Sequence, residues 1–506
     1  MVQATVAIAT ILAYTTVVLA LGYHGWRVGK LEVGDWVAAD RGLGVVVLLF
    51  TYAATYHSAF AFLGAAGFTY AHGIGFFLAG FLWLVISGVI VYVLGTKLWL
   101  VGKRYGYVTP SEVLADFYDS EALGLLVSAV MILFTFPYVA VQLIGSGIIF
   151  ETATDGLVSF ELGALFLLVV GVIYVWLGGM RSIAWTDTVQ GVFMIAAIWI
   201  AGWLFVFTAY RGPRDFWTAL AAEAPAHLAL PGPADLLAWE FYLSFAVVIG
   251  IGVALAPHIV LRYYSAASPR TLKWVAAGGT AYLVLFYVPL VFLALGAVVA
   301  LPELANPDQA VPEVLFAFTP VWFASVVIAG AIAAAMATKD SQLHAVSTLI
   351  VRDWYEPYVE SDPDERRRTR LLQALVLVLA AISRRRHPGA GHHRTGDARR
   401  LRRYRPGSAR ARWGVLLAAG VRERRHRRPP RGRGGRRRPG VRGRRPPGRD
   451  ARVPGRLLRS ARERDTLRRR QPARGPRPRR EPREDTGLRP LRRAEGVGGR
   501  RVAAGG

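Results

Sequence analysis

Between Leu43 and Tyr70 the sequence is long and apolar enough to cross a bilayer, yet it carries Thr55, Tyr56, His57 and Ser58 in a row at its middle. About 20 predominantly apolar residues cross the hydrocarbon, and a polar group left unpaired there is costly. Such a cluster demands partners inside the protein or a ligand. Gly64 and Gly67 follow within a turn or two, and glycine weakens helix at the point where an opened backbone would bare carbonyl oxygens to a cation. The plain alternative is an unbroken buried helix whose hydroxyls bond back to carbonyls one turn earlier.

Windows of about 19 residues give apolar segments near 2–23, 43–70, 73–96, 121–150, 160–177, 187–208, 238–263, 271–300 and 314–350, with a tenth beginning at Leu371. The fold class expected is therefore an all-α, multi-pass membrane protein in the cell membrane. With the N-terminus outside, Arg27, Arg41, Lys103, Arg104, Arg181, Arg262, Arg352 and Arg366 fall in cytoplasmic loops, and Arg211 and Arg214 are left outside. That asymmetry fits the cytoplasmic excess of Lys and Arg. Lys339 is the one basic residue this reading leaves within a span.

Composition contains two opposed signals. Hydrophobic residues make up 53% of the chain, whereas the formal net charge is +27. Residues 384–506 carry 43 of the 61 Lys and Arg but 9 of the 34 Asp and Glu, so residues 1–383 are mildly acidic. The division expected is a membrane domain over 1–383 and an Arg/Gly/Pro-rich disordered tail over 384–506. The absence of cysteine excludes disulfides, thiol catalysis and thiolate metal sites. The N-terminal apolar segment lacks a basic flank and a cleavage site, and reads as a retained span.

Loop signals refine the order of elements. Thr109-Pro110-Ser111-Glu112 reads as a capped helix start. Gly178-Gly179 breaks the chain after the fifth span, and Asp187 is expected at the start of the sixth, where a carboxylate favours a helix N-terminus. Pro257 interrupts the seventh. Interrupted spans at positions two and seven point to an inverted-repeat transporter.

The run from Gly178-Gly179-Met180-Arg181 through Trp185-Thr186-Asp187 to Gly191 resembles a signature of the sodium/solute symporter family. Ala256-Pro257-His258 through Arg262, and Met336-Ala337-Thr338-Lys339-Asp340-Ser341-Gln342, resemble two more in the same order, while Tyr56-His57-Ser58 is similar to the monocarboxylate-transporting branch. The resemblance covers residues 1 to about 383 and implies the leucine-transporter-like inverted repeat, here truncated in its second half. It implies a sodium-coupled importer of a small organic solute, with Na⁺ as coupling ion and the lipid bilayer as surroundings. It also implies sodium ligands at the carbonyls of Ala54, His57 and Ala334 and at the Thr338 hydroxyl, oxygens that suit a hard cation. Ala337 stands where the family usually has serine, and Lys339 where it has a small residue, so coupling to sodium or to protons stays open. Lys339 would pair with Asp340, snorkel to the cytoplasmic side, or stand in for the ion. Solute contacts implied are Tyr56, Ser58, Tyr138 and Gln142, the last two lying one turn apart on one helix face. His57 is read as a packed histidine, and Arg181 and Asp187 as orienting a cytoplasmic loop.

No nucleophile–base pair, metal-spaced cluster or phosphate loop appears, so the chain does not read as an enzyme. A rival function rests on the tail, whose Gly432-Arg433-Gly434-Gly435-Arg436-Arg437-Arg438 could bind nucleic acid or acidic lipid. Against it, residues 384–506 lack Lys, Ile, Phe, Met and Asn. Alanine codons GCG and GCC read one base out of register give arginine, and glycine and proline codons interchange likewise. The tail therefore reads as out-of-frame translation beginning near residue 383, nucleic acid is not an expected partner, and the chain as written is expected to be inactive.

Overall fold

The computed structural model describes residues 2–385 apart from Leu31, Ser361 and Asp362. Nearly all of the Arg-rich segment lies outside the described residues, and with it the expectation of disorder there.

Helix α1 (Val2–Val28) leads through short α2 (Val33–Ala38) to a bent pair, α3 (Val45–Tyr56) and α4 (Phe60–His72), which meet at 62°. Then come α5 (Gly75–Tyr105), the short α6 (Pro110–Phe117), α7 (Glu121–Ala153), α8 (Phe160–Tyr210) and α9 (Pro213–Glu223). A second bent pair, α10 (Trp239–Ala254) and α11 (Pro257–Ser265), meets at 49°. It is followed by α12 (Pro269–Ala300), α13 (Ala310–Phe318), α14 (Val321–Tyr358) and α15 (Glu365–Arg385). Among the described residues, six helices are long and apolar enough to cross a membrane, and eight spans result when each bent pair counts as one. The 51-residue α8 holds two spans, because Gly179 breaks it with φ 50° and ψ −136°. With the two parts of α8 taken separately, the bent pairs fall at the second and seventh of the expected apolar segments.

Each break has a local cause. Gly179 takes a left-handed φ that only glycine adopts readily, and a side chain there would strike the Trp36 carbonyl. Pro257 opens α11 as its first residue, with Ala256 extended before it. Thr109 caps α6 through the expected reciprocal box, its hydroxyl accepting from Glu112 N at 3.2 Å while Glu112 Oε2 accepts from Thr109 N at 3.0 Å. The segment expected as one span over 314–350 is instead two helices, because Thr319 is extended before Pro320.

The glycine argument for the second span placed its opening too late. The break falls at His57 and Ser58, ahead of both glycines. Gly67 has a different use: it lets the Pro307–Gln309 turn approach so closely that a side chain would overlap Asp308. Tyr70 adds a hydroxyl bond to Leu301 O at 2.7 Å, so the segment after α12 covers the far end of α4. Burial in that cover pushes the Asp308 carboxyl upward from its ordinary value.

Helix α14 runs through the centre, with every residue from Phe323 to Leu349 except Val326 buried. At the face that carries Arg41, Lys103 and Arg352, here the basic face, the chain entering α3 pairs with the chain leaving α11. Leu43 N donates to Ser265 O and Ala267 N to Leu43 O, each at 3.0 Å. The two broken spans are thus joined where they reach that surface.

Candidate functional site

The site grows from the break in the second span. His57 is extended (φ −79°, ψ 109°), so the carbonyls at the end of α3 lose the amides that would continue the helix. On the other side of the break, Ser58 Oγ accepts from Ala61 N at 3.4 Å and Gln142 Oε1 accepts from Ala59 N at 2.8 Å. A helix N-terminus in the middle of the membrane is thereby capped by two neutral side chains.

Thr338 of α14 faces this break. Its hydroxyl, fully buried, lies 2.8 Å from His57 O and 3.0 Å from Thr55 O. Of the residues expected to hold a cation, the structure brings His57 and Thr338 into direct contact. Ala54 adjoins Thr55, and Ala334 lies one turn before Thr338 on α14; both are fully buried. Ala337 offers a methyl group where a hydroxyl was expected. Among the described residues no cluster of three His, Asp or Glu could bind a metal. Any cation held here would therefore be held by neutral oxygens, as suits a hard ion that must also leave.

The expected solute residues gather on the far side of the break. Tyr56 stacks on Trp83, with ring centroids 6.4 Å apart and planes 9° off parallel, and its buried hydroxyl makes no well-formed hydrogen bond. Tyr138 lies beside Ser58 and 5.9 Å from the His258 ring. Gln142 differs from the others, since its amide already serves Ala59 N and, at 3.2 Å, Tyr138 O. Sequence reasoning did not find Trp83 or His258. For His258 a signal existed, because Pro257 makes it the second residue of a half-helix that starts inside the membrane. For Trp83 there was none. His57 turns its ring onto Phe286, 3.6 Å between centroids, between Tyr282 and Tyr287, and both its nitrogens are buried without a hydrogen bond.

Two buried ion pairs correct the sequence reading. Lys339 does not snorkel: its ammonium is fully buried, 2.8 Å from Asp340 Oδ1 and 2.8 Å from Leu167 O of α8. Its ammonium is engaged by Asp340 and by the carbonyls of Leu167 and Leu168 on α8, which argues against its standing in for the ion at the α3 carbonyls. The Tyr174 hydroxyl takes the other Asp340 oxygen. Nor is Lys339 alone, for Arg262 is buried inside α11 and does not belong to a loop. Asp187, expected at a helix start, lies about two turns into the second part of α8, and its Oδ2 is 3.1 Å from the Arg262 guanidinium. Arg181 does orient the basic face, donating from Nε to Asp35 Oδ1 at 2.7 Å.

Gly171 of α8 makes room for the Lys339 pair, because a Cβ there would overlap both Lys339 Nζ and Asp340 Oδ1. Gly171→Ala is accordingly expected to part the two charges and cost about 3–5 kcal/mol, the scale for breaking a buried pair. A clear fall in melting temperature checks this; an unchanged one would show that the pair can step aside.

The sequence profile of the sodium:solute symporter family matches residues 36–385. The chain is 29% identical over 352 residues to the sodium/pantothenate symporter of Haemophilus influenzae, covering 69% of this chain and 72% of that protein. With the sodium/pantothenate symporter of Escherichia coli it shares 28% over 384 residues, covering 74% and 78%. In three dimensions it is similar to a Na⁺-coupled sialic acid symporter solved substrate-bound and outward-open, with a TM-score of 0.65 at 17% identity over 75% of this chain and 79% of that one. At that identity the likeness shows the fold, the leucine-transporter-like arrangement that the family resemblance implied. The profile match takes in more than half of the sequence, and the chain belongs to the sodium:solute symporter family, as a multi-pass membrane transporter and not an enzyme.

Proposed function

We propose that the chain is built to import a small organic carboxylate together with sodium, through a site shared by the break of the second span and the centre of α14. The observation that carries this reading is Thr338, whose hydroxyl faces two carbonyls freed by the break. Sodium would be held by those oxygens with help from the Ala54 and Ala334 carbonyls. It would tie α3 to α14 and so favour one of two arrangements of the bundle.

The carboxylate assignment rests on the other half of the break. The N-terminal end of α4 favours negative charge, and the hydroxyls of Ser58, Tyr56 and Tyr138 can donate to it. The stack of Tyr56 on Trp83 gives the rest of the solute an apolar wall. Pantothenate and sialic acid, named for the relatives, each carry one carboxylate. Because Gln142 is engaged on both amide atoms, its part is to position α4 and Tyr138. The basic face is assigned to the cytoplasm and the N-terminus to the outside. The 506-residue chain is assigned no transport of its own, since the apolar run of α15 gives way to Ser383 and Arg384 after about 12 residues, where a span takes about 20.

With the C-terminal spans restored, uptake of labelled pantothenate or lactate into proteoliposomes is expected to need an inward sodium gradient. Equal uptake driven by a proton gradient alone, in choline buffer, would overturn the sodium assignment.

A further inference from the structure

The two buried ion pairs join different bodies. Lys339 and Asp340 tie α14 to the first part of α8, so both ends of that link are unbroken helix. Arg262 instead stands on a half-helix and reaches three other elements. Its Nε donates to Thr51 O of α3 at 3.1 Å, and a terminal nitrogen donates to Asp187 Oδ2 of α8 at 3.1 Å and to Ser341 Oγ of α14 at 2.6 Å. The other terminal nitrogen closes its own turn on His258 O at 2.7 Å. Thr51 Oγ1 adds a bond of 2.6 Å to the same Asp187 oxygen.

We propose that Arg262, Asp187, Thr51 and Ser341 form a latch that shuts the passage between the solute site and the basic face, an inference that rests on the alternating-access reading above. The half-helices α3 and α11 are already one body at that face, paired through Leu43. Bonds from that body to α8 and α14 at this depth run through the four latch residues. The latch lies one turn nearer the basic face than the cation site: Thr51 precedes Thr55 by one turn on α3, and Ser341 follows Thr338 by about one turn on α14.

Thr55 links the two. Its carbonyl receives the Thr338 hydroxyl, while its own hydroxyl lies 3.2 Å from Ser341 Oγ. A cation holding α3 to α14 at Thr55 therefore supports the latch directly beneath it, and loss of the cation weakens it. Charged groups suit this use better than apolar ones. Dry, they must be paired; once the passage opens, water can solvate both, so neither arrangement leaves a bare charge in hydrocarbon.

The chain has no cysteine, so one introduced cysteine is a unique label. Leu48, fully buried one turn from Thr51 toward the basic face, is the reporter position. In the 506-residue Leu48→Cys chain in nanodiscs, a membrane-impermeant maleimide is expected to react slowly, and more slowly still in sodium. Adding Asp187→Asn or Arg262→Gln should raise the rate about tenfold, the population shift expected when a closed state loses its ion pair. Should those variants not give monodisperse protein, Thr51→Val removes the one side-chain bond of Thr51 to Asp187 and Ser341→Ala the bonds of Ser341 to Arg262 and Thr55, and each should raise the rate about threefold. Rates within about twofold of the reference in every soluble variant would overturn the latch. If sodium has no effect while the variants still react faster, the latch stands and the sodium assignment falls.

Discussion

Proteoliposomes carrying the 506-residue chain are expected to take up no solute above protein-free vesicles, whereas the same gene read in the frame that restores apolar segments beyond residue 383 should give sodium-driven uptake. The reason is the length of α15. Its apolar run, Leu371 to Ile382, is about 12 residues and rises roughly 18 Å, against a hydrocarbon core of about 30 Å. Ser383, Arg384 and Arg385 follow at once, and each arginine at such a depth costs about 2.5–3.5 kcal/mol on insertion scales. The start of the span is nonetheless well made: Leu372 and Val376 are fully buried, and Gln373 Nε2 donates to Trp176 O at 2.9 Å. A sequence that packs correctly and then turns to arginine within one turn is what a register slip in a GC-rich gene produces. The family match ends at residue 385. Translating the other two frames past this point decides it. If neither yields membrane-length apolar segments, the tail is native and its affinity for nucleic acid or acidic lipid becomes the reading to pursue.

In the restored protein, Thr338→Ala is expected to raise the sodium concentration for half-maximal uptake by about tenfold or more, equivalent to ~1.4 kcal/mol, while the rate at saturating sodium changes little. The expected effect is large because Ala337 leaves Thr338 as the side-chain oxygen at this place, so its loss is not shared with a neighbouring serine. It also frees the Thr55 and His57 carbonyls from the one side-chain donor they have among the described residues. Thr338→Ser keeps the oxygen and should stay near the unaltered value. A sodium dependence untouched by the alanine substitution would mean that the ion binds elsewhere.

How much of this was legible in the sequence follows from what each feature depends on. Spans depend on runs of apolar residues and so could be read directly, as could the breaks at Gly179 and Pro257, where one residue's backbone decides. The break at His57 was found for the right cluster and the wrong glycines, because a polar run needing partners constrains the chain more than a weak helix former does. Thr338 came from motif resemblance, and its contact with His57 spans 281 positions of sequence. Lys339 was placed within a span with pairing to its neighbour Asp340 among the alternatives, which sequence adjacency made visible. Arg262 was misplaced in a loop, because its partner Asp187 comes from another helix and hydropathy windows do not see across helices. Asp187 was judged by its distance from Gly179 along the chain, when its setting comes from α3 and α11.

Gly171 has a consequence for the history of the sequence. Lysine at 339 needs both Asp340 as counter-ion and a bare backbone at 171, so the three positions are not free to change one at a time. A side chain at 171 would have to displace the Lys339 ammonium and the Asp340 carboxylate, so substitution at 171 is costlier with the lysine in place than without it. Relatives with a small residue at the position of Lys339 should accordingly tolerate alanine or serine opposite it, and those with lysine should not. The ion pair then acts as a ratchet on substitution, fixing a residue that touches neither the solute nor the ion.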